Sequence, residues 1–147
     1  MKKHFKHILI PMDFSSNSTL AIETALDSFG KKAEIITMLT VFEGTQVNNT
    51  DFSVNNEVDS MIEKASKDEL ENYRRRYSER HQDIRTLATK GNPASRIISM
   101  SKELDVDLIV MGSQGRNSLA RAFFGGTTYQ VSRKAHCSIL VVRPENK

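Results

Sequence analysis

Leu108-Ile109-Val110-Met111-Gly112-Ser113-Gln114-Gly115 decides the fold, and Gly125-Gly126-Thr127-Thr128 answers it after nine intervening residues. An apolar run leads straight into two glycines three apart. A second glycine pair then opens a new helix. Glycine lets a backbone approach a ligand closely and allows positive φ. A strand that ends at a helix N-terminus presents unpaired N–H groups to an anion. Two such turns around one crevice form a candidate phosphate cradle. Taken alone, the same glycines would sooner be read as tight turns than as a cradle.

Working outward, three more runs have strand character: Ile8 to Met12, Ile35 to Phe42 and Ile139 to Val142. Continuous Ile, Leu and Val is the pattern of parallel strands covered on both faces. Ile84 to Thr89 alternates and fits an edge. Helical periodicity separates these runs. Ser15, Ser16 or Asn17 caps a helix with Ile22, Ala25, Leu26 and Phe29 on one face, stopped by Gly30. A long charged helix is expected from Glu57 to Ser78, its stripe made by Val58, Met61, Ile62, Ala65, Leu70, Tyr73 and Tyr77. Asn92-Pro93 reads as a cap followed by proline at the first helical position. The helix it opens buries Ile97, Ile98 and Leu104. The last helix is expected from Gly126 to Lys134. Glu43 to Asn56 reads as one long polar loop.

This alternation implies an α/β fold: an open parallel sheet with helices on both faces and right-handed crossovers. The chain has 147 residues, 38% of them hydrophobic and 27% charged. That composition fits a single domain with its own core. The net charge of +3 is too small to argue for nucleic acid. No apolar run reaches membrane-span length, and Ile8-Leu9-Ile10 is too short for a signal-peptide core. One cysteine, Cys137, precludes an intramolecular disulfide and suits a reducing, cytoplasmic setting.

In an open α/β sheet the ligand lies beyond the carboxyl ends of the strands, where strand order reverses. That rule selects Pro11-Met12-Asp13, Val41-Phe42 and Met111-Gly112. Asp13 stands where a carboxylate would accept from ribose hydroxyls, or would cap the helix that follows. No Gly-Lys-Ser/Thr occurs, so this is not a P-loop. No Gly-x-Gly-x-x-Gly follows the first strand, so any phosphate site lies late in the chain. Arg74-Arg75-Arg76 reads as a solvated helix face. His136-Cys137 lacks a second pair at metal spacing, and Cys137 reads as an inert core thiol. His4, His7 and His81 fall in polar settings that read as exposed. No Ser-His-Asp or Cys-His set converges, which favours binding over catalysis.

These segments together resemble the universal stress protein family over essentially the whole chain. The resemblance is carried by His7-Ile8-Leu9-Ile10-Pro11-Met12-Asp13-Phe14-Ser15, by Thr37-Met38-Leu39-Thr40-Val41 and by Gly91-Asn92-Pro93-Ala94. Asp107 to Gly112 and Cys137 to Arg143 add the last two strands. It implies a five-stranded parallel sheet of order 3-2-1-4-5. It also implies a homodimer joined through Ile139, Leu140, Val141 and Val142. One branch of that family binds ATP through Gly-x2-Gly-x9-Gly-Ser/Thr. Gly112, Gly115 and Gly125 match at that spacing. Gly126 stands where the pattern has a hydroxyl, with Thr127 and Thr128 next as substitutes. Thr40 stands where His is usual.

By that resemblance Asp13 and Val41 hold ribose and adenine, and the glycines hold the phosphates. The candidate nucleotide set is therefore Pro11, Met12, Asp13, Val41, Met111, Gly112, Gly115, Arg116, Gly125, Gly126, Thr127 and Thr128, with ATP, and Mg2+ accompanying it, as cofactor. The function implied is a stress-response sensor or regulator. Two rivals share the fold: a slow ATPase or nucleotidyl transferase on the same site, and a dimeric stress protein that binds no ATP.

Overall fold

The structure is a computed structural model that describes residues 4–44, 52–114 and 125–145. At its centre lie two of the apolar runs, β1 (His7–Met12) and β4 (Leu108–Gly112), hydrogen-bonded in parallel. β2 (Ile35–Phe42) pairs along the other side of β1, and β3 (Ile84–Lys90) pairs outside β2. β5 (Ser138–Val142) pairs outside β4. The order is β3-β2-β1-β4-β5, as the resemblance implies, and all strands are parallel, as the alternation implies. The alternating run is indeed an edge strand.

Side chains of successive strand residues point to opposite faces, and each face has its own core. Ile8, Ile10 and Met12 face α1 (Ser16–Phe29) and α2 (Phe52–Tyr77), meeting Ile22, Leu26, Leu70, Tyr73 and Tyr77. Leu9, Leu39, Ile109 and Met111 face α3 (Pro93–Glu103) and α4 (Gly126–Lys134), meeting Ile97, Met100 and Val131. The first two helices thus cover one face and the last two the other. The changeover falls between β1 and β4, which places the switch point at Asp13 and Gly112.

Three expectations are corrected. Residues 52–56 are not loop: α2 begins at Phe52 and ends at Tyr77. Asn55 and Asn56 are weak helix formers, and the turn they hide is largely exposed, Val54 included, as is Met61 of the expected stripe. Residues 45–51 of the expected loop lie outside the described residues. His7 is not exposed but 8% accessible. The polar run before it conceals that β1 starts at His7 itself. His81 is half-buried, with Nε2 2.8 Å from the Ala33 carbonyl oxygen. Finally, β5 is half-buried along its whole length rather than covered on both faces.

Candidate functional site

Asp13 leaves β1 and turns the chain into α1. Ser15 is the cap among the three candidates, and its Oγ accepts from the Ser18 N–H. The Asp13 Oδ1 accepts from the Ser15 N–H at 3.0 Å, from the Ser15 hydroxyl at 2.5 Å and from the Ser18 hydroxyl at 2.6 Å. Asp13 therefore does organise the helix start, and in doing so its carboxylate is fixed at the carboxyl end of β1. Between Asp13 and Ser15, Phe14 takes φ 63°, a left-handed backbone that non-glycine residues seldom adopt. Its ring packs on Tyr73 with centroids 5.7 Å apart.

Across the switch point β4 ends at Gly112, and the next residues are pinned by backbone bonds. The Ser113 N–H donates to the Val142 carbonyl, and the Gly125 N–H donates to the Ser113 carbonyl, each at 2.9 Å. α4 then begins at Gly126 with Gly125 as its cap residue and no side-chain capping bond. The other two helix starts whose caps are described differ. α1 has Ser15, and α3 has Asn92, whose Oδ1 accepts from the Ser95 N–H at 3.1 Å. Among the described residues no side chain caps the first N–H groups of α4, which suit an anionic acceptor.

Between these walls lies a crevice of about 740 Å³. Its lining includes ten of the twelve candidate residues: Pro11, Met12, Asp13, Val41, Met111, Gly112, Gly125, Gly126, Thr127 and Thr128. Gly115 and Arg116 lie outside the described residues. Sequence reasoning missed Ser18, Leu39, Glu43, Pro93, Ile97 and Gln114, which also line it. Pro93 and Ile97, expected as the first helical proline and a core residue, are one helical turn apart. Their spacing places both on one face of α3, but long-range packing decides that this face meets the strand ends.

The two threonines after the glycine pair are not equivalent. Thr128 is buried, and its hydroxyl donates to the Gly112 carbonyl at 2.9 Å. Its proton ties α4 to β4, so of the two substitute hydroxyls Thr127 is the one left for a ligand. Gly112 has a packing reason to be glycine. A Cβ there would lie 2.8 Å from Asn17 Cβ and 3.2 Å from the Asn17 carbonyl oxygen. Gly126 has none: a Cβ there would meet nothing within 4 Å.

The charged side chains among the described lining residues are Asp13 and Glu43. Among the described residues no three His, Cys, Asp or Glu side chains converge to hold a metal. Leu39, Val41, Pro93, Ile97 and Met111 give the crevice apolar lining, and the start of α4 offers it backbone N–H groups. Such a site can take a flat apolar group and an anion.

A family model described as the universal stress protein family matches residues 4–143. The chain belongs to the universal stress protein family. A similar relative is the universal stress protein MJ0577 of Methanocaldococcus jannaschii, 26% identical over 161 aligned positions covering 99% of each chain. Its solved structure superposes with a TM-score of 0.89, covering 99% of this chain and 100% of that one. Two more distant solved relatives share the fold. One is a universal stress protein in complex with cAMP, 17% identical, TM-score 0.67, covering 95% of this chain and 98% of that one. The other is a universal stress protein family protein from Arabidopsis thaliana with AMP bound, 14% identical, TM-score 0.65, covering 95% and 92%. Among the described residues no helix is long and apolar enough to cross a membrane.

Proposed function

We propose that this universal stress protein, a single-domain cytoplasmic chain, binds an adenine nucleotide, ATP, in the crevice and acts as a sensor or regulator in a stress response. The observation that carries the reading is the start of α4, which has no side-chain cap and lines a crevice that also has apolar lining. Adenine would lie against Val41, Leu39, Pro93 and Ile97. Ribose hydroxyls would donate to the Asp13 carboxylate. Phosphate would accept from the N–H groups at Gly126 and Thr127 and from the Thr127 hydroxyl, with Gly115 and Arg116 contributing from the segment between Gln114 and Gly125. A helix N-terminus favours an anion through both its free donors and its dipole. Mg2+ would arrive on the phosphates, which suits an ion that keeps most of its waters and takes few protein ligands. The cAMP and AMP bound by the two distant relatives support an adenine nucleotide as the ligand.

Native mass spectrometry of the purified protein, followed by isothermal titration with ATP in the presence of Mg2+, tests the reading. A co-purified adenine nucleotide or saturable one-to-one binding is expected. Absence of both at millimolar ATP, roughly the weakest affinity a specific site would show, overturns it.

A further inference from the structure

Among the described residues, three hydrogen bonds hold the turn that leaves β4. Two are the backbone bonds from Ser113 to Val142 and from Gly125 to Ser113. The third is a side chain: Asn17 Nδ2 donates to the Gln114 carbonyl at 2.9 Å, across 97 residues of sequence. Backbone bonds form whatever the side chains are. The third anchor exists only because residue 17 carries an amide.

Asn17 is not needed to start α1, since Ser15 provides the cap and Asp13 anchors Ser15 and Ser18. It is half-buried in the first turn of that helix. Its Cβ and carbonyl oxygen occupy the space that a side chain on residue 112 would need. The missing Cβ of Gly112 lets α1 approach the end of β4, and the Asn17 amide then reaches past it to Gln114. One wall of the crevice carries Asp13, fixed to the start of α1. The other carries the start of α4, fixed to Ser113. Asn17 joins the two.

We propose that Asn17 is a positioning residue for the phosphate end of the ligand. It holds Gln114, the last residue before Gly115, at a set distance from the Asp13 wall. It acts through the turn rather than by contact with the ligand. The role rests on the nucleotide reading above.

The test compares wild type with Asn17→Ala and with Asn17→Leu, two variants that keep a Cβ against Gly112 and remove the donor. Both are titrated with AMP and with adenosine, which lacks the phosphate. The dissociation constant for AMP should rise about three- to tenfold, as loss of one hydrogen bond allows. That for adenosine should stay within about twofold. Amide exchange in the ligand-free protein should quicken over residues 108–114, because the turn loses an anchor.

Unchanged AMP affinity in both variants overturns the role. Equal weakening of AMP and adenosine also overturns it, because that would mark general packing. Unchanged exchange overturns the anchor. A wild type that binds none of ATP, AMP and adenosine overturns the nucleotide reading instead, and faster exchange in Asn17→Ala would still establish the anchor.

Discussion

Gly112 and Gly126 belong to the same spaced glycine set, yet they are glycine for different reasons. At 112 the absent Cβ makes room for Asn17. Gly112→Ala should overpack that contact and destabilise the fold by about 1–3 kcal/mol. Thermal melts measure it, and the loss should shrink in the double variant with Asn17→Gly, since the two sites touch. At 126 the space is open, the φ is not positive, and the cap residue before it offers no side-chain oxygen. The neighbouring Thr128 hydroxyl is committed to Gly112. Gly126→Ser therefore adds a donor where the family pattern has one. It should tighten ATP binding by about 0.5–1.5 kcal/mol, the net worth of one hydrogen bond. Titration of the folded variant decides, and weaker binding would mean that the added side chain obstructs the phosphate.

At the scale of elements, legibility followed burial. β1, β2 and β4 are buried on both faces, so their composition alone marks them as parallel strands. α3 and α4 carry their start signals openly, in Asn92-Pro93 and Gly125-Gly126. Asn92→Ala should cost about 1 kcal/mol, because Oδ1 alone satisfies the Ser95 N–H; a melting temperature equal to wild type would refute that. What the sequence hid was long-range. The start of α2 was masked by its two asparagines. The burial of His7 depends on Thr37 and Leu104, which lie 30 and 97 residues away. Likewise, Leu39 and Ile97 enter the candidate site only because β2 and α3 converge on β1. Local pattern gave the strand ends that line the crevice but not the helix face that closes it.

His7 also carries a prediction. Its Nδ1 lies 3.0 Å from the Leu104 carbonyl oxygen and so donates to it. Nε2 then accepts from the Thr37 hydroxyl at 2.7 Å. Burial pushes the imidazole below its ordinary value of 6.5, with the Leu104 carbonyl opposing and Arg85 adding to the shift. Asp107 and Asp83 pull the other way. The unfolded chain takes up the proton at higher pH than the fold does, so stability rises with pH in this window. The melting temperature should be flat above about pH 6.5 and fall below it. Glu23 and Asp83, held low by Arg80 and Arg85, lose their contribution only below the ordinary carboxylate range. The two windows are therefore separable. His7→Gln should remove the slope between about pH 6.5 and 5, and a variant that keeps that slope would assign it elsewhere.

At the scale of the whole molecule, the sheet has two edges that differ in character. β3 carries Arg85 and Lys90, and α2 packs along it with Asp59 reaching Lys90 at 2.5 Å. Charged side chains and a covering helix blunt an edge against pairing. β5 reads Ser138-Ile139-Leu140-Val141-Val142, has no charge and is half-buried throughout. Pairing two copies of β5 about a two-fold axis would join the two edges main chain to main chain and close the assembly as a dimer. Pro144 lies just past the strand and limits the length of any such ladder. Ile139 packs into one core cluster, and Leu140 and Val142 into the other, whereas Val141 is in neither. Val141→Lys should therefore spare the fold while setting like charges against each other across the axis. The wild type should sediment as a dimer and Val141→Lys as a monomer with an unchanged circular dichroism spectrum. A wild type that sediments as a monomer at about 50 μM, where even a weak specific interface still registers, would remove β5 as the meeting edge.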